Sequence, residues 1–138
     1  EAMGAYQQAA ELEPENPLPW RALAGFAAEN GFDAQSISIP AAQKALELDD
    51  ESAQSLDLMG WILLIEGDLV EAEQFLQQAL QKDATYPRAL LHLAQVYLDM
   101  NRLSLAYKPL SQAAEQSDDP SMSLQARRLL ERYFPNQP

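Results

Sequence analysis

The stretch Glu51–Tyr86, ESAQSLDLMGWILLIEGDLVEAEQFLQQALQKDATY, decides the fold. Within it Leu56, Met59, Gly60 and Leu63 recur at helical spacing, Gly67-Asp68 interrupts the run, and Ala72, Leu76, Ala79 and Leu80 begin a second helical stripe. The pattern predicts a helix, a tight turn and a helix. Displaced by 34 residues, it falls on itself: Leu56 on Leu90, Met59 on Leu93, Gly60 on Ala94, Leu63 on Tyr97, Ala72 on Ala106, Leu76 on Leu110 and Ala79 on Ala113. Gly60, Ala72, Ala79 and their counterparts Ala94, Ala106 and Ala113 are small because two antiparallel helices come closest there, with larger side chains filling the gaps beside them. A helix pair repeated at a fixed period buries its apolar stripe by stacking on its neighbours.

A helical pair with this period resembles the tetratricopeptide repeat. The family pattern runs from a large apolar residue through a Leu-Gly or Leu-Ala pair, an aromatic, a turn glycine, a small residue, an aromatic or Leu and an alanine to a proline. Leu56, Met59-Gly60, Leu63, Gly67, Ala72, Leu76 and Ala79 occupy these places, and Ala84 stands where the proline is expected. The resemblance covers nearly the whole chain. It implies an all-α fold, a right-handed α-solenoid of antiparallel helix pairs with about eight helices, in a single array over residues 1–138.

Residues 1–14 read as the second helix of a repeat whose first helix is missing, with Ala2, Tyr6, Ala9 and Pro14 at the small, aromatic, alanine and proline places. A repeat over 17–50 follows, opened by Asn16 as a cap and Pro17 at the first helical position. It carries a two-residue excess, since Trp20 to Leu56 and Ala9 to Ala45 are both 36 residues. The excess falls in Phe32–Pro40, where Ile37, Ile39 and Pro40 suit the interior of a helix poorly. A second helix that is irregular at its start and regular only from about Ile39 or Pro40 to Leu48 is expected. Phe32, Ile37 and Ile39 then either fill a tolerated loop or form a ledge for a partner. Repeats over 53–86 and 87–120 come next, the last with Pro109 inside its second helix and a kink expected there. Residues 120–134 read as a capping helix, with Met122, Ala126, Leu129, Leu130 and Tyr133 inward and Arg127, Arg128 and Arg132 outward. The tail Asn136-Gln137-Pro138 is expected to be loose.

Charge is unevenly spread along the 138 residues: Glu1–Glu73 holds 15 acids and 2 bases, Gln74–Pro138 holds 6 acids and 7 bases. Such a field repels phosphate backbones and anionic lipid, which argues against nucleic acid and membrane surfaces and allows a basic partner; surface acids that keep the array soluble explain the same charge. The chain has no cysteine, so disulfides, thiol catalysis and cysteine-held metal are excluded. No apolar run reaches the roughly 18 residues of a membrane span, and no basic-then-apolar opening reads as a signal peptide. A soluble protein follows, with the cytoplasm favoured. The chain opens mid-pattern at Glu1, as a piece of a larger parent would, and an upstream targeting segment is compatible with it.

No catalytic constellation stands out. His92 is the one histidine; helical spacing brings it near Asp99 or Asp57, without a phosphate loop or nucleophile elbow beside it. The Asp49-Asp50-Glu51 run lies at a turn, where capping and solvation account for it. No cofactor or metal is expected. The family resemblance instead implies a concave groove, built from the first helix of each pair, that holds an extended peptide or a partner helix. Carried onto this chain, the groove-facing places are Arg21, Gly25, Ala28 and Glu29; then Asp57, Leu58, Trp61, Leu64 and Ile65; then Arg88, His92, Gln95, Leu98 and Asp99. Trp61 with Leu64 and Ile65 is the expected anchor for a partner, or else Trp61 packs on the neighbouring repeat and is structural. One branch of the family clamps chaperone C-terminal carboxylates; here Gly25 and Leu58 replace its asparagines, although Arg21, Arg88 and His92 hold basic places. A non-catalytic interaction scaffold is the reading favoured, with a groove filled by the parent's own chain or by a homodimer as the alternative.

Overall fold

A computed structural model describes residues 1–136; Gln137 and Pro138, most of the tail expected to be loose, lie outside the described residues. Eight α-helices follow one another: α1 (Ala2–Leu12), α2 (Pro17–Glu29), α3 (Ile39–Leu48), α4 (Ala53–Glu66), α5 (Leu69–Lys82), α6 (Pro87–Asp99), α7 (Leu103–Gln116) and α8 (Pro120–Tyr133). A π-helical turn over Ala34–Ser38 leads into α3, and no strand occurs among the described residues.

The ends of these helices are specified locally. Asn16, Ser52 and Asp119 each accept a hydrogen bond from an amide of the first turn, of Leu18, Ser55 and Ser121 respectively, satisfying donors that the helix leaves unpaired. Tyr86 stands at the same register before α6 and makes no such cap; Pro87 opens that helix without one. The first helix of each pair ends on a left-handed residue, Gly31, Gly67 and Asn101, with φ of 71°, 85° and 60°. After each, the next amide reaches back to close the turn: Phe32 to the Ala27 carbonyl at 3.0 Å, Asp68 to Leu63 at 2.9 Å and Arg102 to Tyr97 at 2.8 Å. Three equivalent C-terminal caps therefore set three equivalent turns.

Sequential pairs pack along the array, and α4 touches both α2 and α6, while α6 also touches α8. Among the described residues, α1, α3, α5 and α7 make no comparable contact with one another. First helices in contact and second helices splayed apart bend the stack, which makes the α2, α4, α6, α8 side concave. The solenoid's core runs through all the pairs, and α4 and α6, in the middle, are its most enclosed helices, burying residues on several sides. Ala2 and Ala9 are exposed, because no described helix packs on that side of α1. α8 seals the other end through Ala126, fully buried, with Leu129, Leu130 and Tyr133 half-buried and Arg127, Arg128 and Arg132 in solvent.

The two-residue excess is absorbed by the π-helical turn, whose wider coil takes up extra residues without breaking the helix. Regular α3 begins at Ile39, so Pro40 falls in the first turn, where its missing N–H costs nothing. Phe32, Ile37 and Ile39 do not form one ledge. Phe32 stacks on Phe26, which stacks on Tyr6; Ile37 lines a recess with Trp20 and Pro40, and Ile39 another with Met59 and Phe75. α7 is continuous through the buried Pro109.

Paired helices come very close at Gly60. A Cβ added there would lie 2.6 Å from Cγ of Leu76 and 3.3 Å from the Ala72 carbonyl oxygen. The branch point of a fully buried leucine cannot swing aside cheaply. Gly60→Ala should therefore lower stability by about 1–2 kcal/mol, overpacking outweighing the helix propensity gained. In a Leu76→Ala background the same change should raise stability by up to about 1 kcal/mol. Urea unfolding of the four proteins of the cycle measures the reversal; the same sign in both backgrounds would place the constraint elsewhere.

Candidate partner-binding groove

Three side chains of the concave face interlock. Asp57 of α4, 4% exposed, is sealed beneath the surface. Its Oδ1 lies 2.7 Å from Nδ1 of His92 on α6. The indole of Trp61 lies over the imidazole, ring centroids 6.0 Å apart and planes inclined by 22°. Trp61 stands one helical turn after Asp57, so the same face of α4 supplies the carboxylate below and the ring above. Trp61 thus packs on the neighbouring repeat and remains half-buried at the surface as well.

Around this trio the apolar strip widens along α4. Leu58 and Leu64 are half-buried, and Ile65 is 50% exposed. On α2, nothing lies within 4 Å of where a Cβ of Gly25 would stand, so the floor dips beside the strip. Ala28 is half-buried and Glu29 exposed. Leu98, at 8% exposure, belongs to the core and is not free to meet a partner. Gln95 donates to Asp99 within α6 at 3.0 Å.

The bases lie toward the N-terminal ends of the first helices. Arg21 donates through Nη1 to Oγ of Ser52, the cap of α4, at 3.1 Å, and Arg88 is exposed in the first turn of α6. Tyr86 joins them. Burial first, then the Asp57 charge, pushes its phenol above the ordinary range, with Arg88 and Arg21 pulling the other way. Sequence reasoning missed Tyr86 as a member of this cluster; the one available signal was an aromatic at a register where Asn16, Ser52 and Asp119 supply caps. The Tyr97 phenol, behind α6, is raised as well, by burial first and by Glu73, while Gln77 donates to its oxygen at 3.3 Å.

Asp57 and His92 converge, whereas Asp99 is engaged with Gln95. Among the described residues no three His, Cys, Asp or Glu side chains are grouped to hold a metal ion, and no helix is long and apolar enough to cross a membrane. A recess of about 380 Å³ opens elsewhere, between α7 and α8, lined by Tyr107, Ala114, Leu130 and Phe134.

Helix pairs stacked with first helices inward, repeated small-residue crossings and a shared concave face define an α-solenoid of the helix-pair repeat class. Residues 63–130 match the family model of the tetratricopeptide repeat. Solved structures share the fold. A crystal structure of MamA superposes with a TM-score of 0.75 at 21% identity, over 95% of this chain and 75% of MamA's. The type III secretion translocator chaperone SycD of Yersinia enterocolitica superposes with a TM-score of 0.77 at 19% identity, over 91% of this chain and 95% of SycD's. YrrB, described as a TPR protein with an unusual peptide-binding site, gives 0.72 at 21% identity, over 95% of this chain and 67% of its own. No curated protein sequence matches the chain.

Because the raised Tyr86 pKa holds a proton more tightly in the folded state, the stability it contributes is full below about pH 10 and is lost as pH rises through the native ionisation. Alkaline titration followed by near-ultraviolet absorbance should show a phenolate step later than the ordinary range that Tyr86→Phe removes. An unchanged titration curve would detach Tyr86 from the Asp57 cluster.

Proposed function

We propose that the chain is a non-catalytic protein-interaction scaffold that holds an extended peptide or a helix of a protein partner on its concave face. The observation that carries this reading is the strip of Trp61, Leu64 and Ile65. An aromatic ring fixed from behind by His92 and flanked by half-exposed aliphatics loses little freedom when a partner covers it. YrrB, with its peptide-binding site, and SycD, a chaperone, share this architecture. The partner is basic. The turns at one rim of the concave face carry Glu29, Asp33, Glu66, Asp68 and Asp99 against Arg102, and those at the other carry Glu13, Glu15, Asp49, Asp50, Glu51 and Asp83 against Arg21, Lys82 and Arg88. Both rims are net acidic, which attracts lysine and arginine and repels nucleic acid and anionic membranes.

A labelled library of amphipathic Leu/Lys peptides, read by fluorescence anisotropy, tests the proposal. Ile65→Asp should abolish binding of the selected peptide while leaving the unfolding midpoint unchanged, since Ile65 is 50% exposed. Trp61→Ala should abolish binding too and lower stability by less than the roughly 3–5 kcal/mol of a core aromatic. Association should slow markedly as salt rises. Binding that ignores both substitutions would sink the groove reading, and salt-independent association the basic partner. The second reading is a groove filled by the parent's own chain or by a second copy. A second SycD structure is an alternative dimer, and a dimer in sedimentation that Ile65→Asp dissociates would favour that reading here.

A further inference from the structure

The Asp57–His92 pair has a consequence for what the groove accepts, resting on the groove reading above. A carboxylate is an acceptor only, and the Asp57 carboxylate faces Nδ1 at 2.7 Å. Nδ1 therefore carries the imidazole proton, and Nε2 of the neutral ring is left with its lone pair. Nε2 has no hydrogen-bond partner among the described residues and is not sealed from solvent. The His92 side chain is 18% exposed. It stands on the concave side of α6, its ring plane held by Trp61. Asp57 is buried beneath and does not reach a partner itself.

We infer that His92 is a specificity-determining contact of the groove, with Asp57 as its positioning residue: Nε2 is presented as a hydrogen-bond acceptor beside the Trp61 ring. The occupant supplies an N–H or O–H donor within one residue of the apolar side chain that covers Trp61. Beside the neutral ring a lysine ammonium fits that place and agrees with the acidic rims, whereas a carboxylate does not, since two acceptors would meet without a proton between them. The arrangement selects against acidic segments at the centre of the groove as the rims do at its edges.

His92 is the one histidine of the chain, so its imidazole nitrogens are observed without ambiguity in a ¹⁵N-labelled sample of the full chain. Long-range ¹H–¹⁵N correlation at a pH where the ring is neutral should show Nδ1 protonated and Nε2 bare. On addition of the Leu/Lys peptide selected above, the Nε2 resonance should move in the direction of hydrogen-bond acceptance. Two substitutions separate the nitrogens, because the amide of Asn reaches the place of Nδ1 and that of Gln the place of Nε2. His92→Asn should weaken the peptide roughly five- to tenfold, and His92→Gln should retain most of the affinity. Asp57→Asn, checked for folding by circular dichroism, should shift the tautomer toward protonated Nε2 and weaken binding as His92→Asn does. A free chain with Nε2 protonated, or an unmoved Nε2 resonance with His92→Asn and His92→Gln binding alike, overturns the inference even while Ile65→Asp still abolishes binding. Peptide binding indifferent to both Trp61→Ala and Ile65→Asp fails the groove reading itself, and the inference with it.

Discussion

The distance between paired helices governs everything else in this protein. At Gly60 it is so short that a single methyl group would collide with Leu76, and Ala24 and Ala94 hold the equivalent places, both fully enclosed. Close pairing lets each turn be only a few residues long, closed by a left-handed Gly or Asn. Short turns in turn align the first helices of successive pairs side by side. Their alignment produces the concave face, and with it a surface on which side chains from different repeats meet. A wider pair spacing would separate α4 from α6 and part Asp57 from His92.

Much of this is legible in the sequence because it is periodic. A stripe of small and large residues at fixed offsets constrains backbone spacing, and spacing is what a solenoid repeats. The two-residue excess is legible for the same reason. Its form, a π-helical turn, is not, since a loop, a bulge and a wide helical turn accept the same residues. Ser38 shows the local solution: it is buried at the register held by Ala72 and Ala106 in the later repeats, so the extra residues are spent before it and the pair recovers its contact there.

The groove is legible only as a set of positions. Family register places Asp57, Leu98 and Ile65 all on the concave side, but exposure divides them into a buried support, a core residue and an open contact. The division comes from how far each side chain reaches between neighbouring helices, which depends on the neighbour's own residues. Asp57 and His92 are 35 positions apart and belong to different repeats; within each repeat they are unremarkable polar residues. Tyr86 is hidden differently, as a misfit in a series of caps whose meaning appears only when Asp57, Arg21 and Arg88 are seen around it.

A buried carboxylate in the most apolar helix of the chain is a costly feature. One hydrogen bond to an imidazole does not make it a stabilising one, because taking the charge from water costs more than a single partner commonly returns. An apolar residue such as Leu91, the register equivalent of Asp57 in the next repeat and itself in the core, shows that the fold accepts hydrocarbon at this place. What the carboxylate adds is direction: it fixes which imidazole nitrogen holds the proton and which way the ring faces. It also fixes the ring against which Trp61 rests. The polar pair therefore trades stability for orientation at the centre of the concave face.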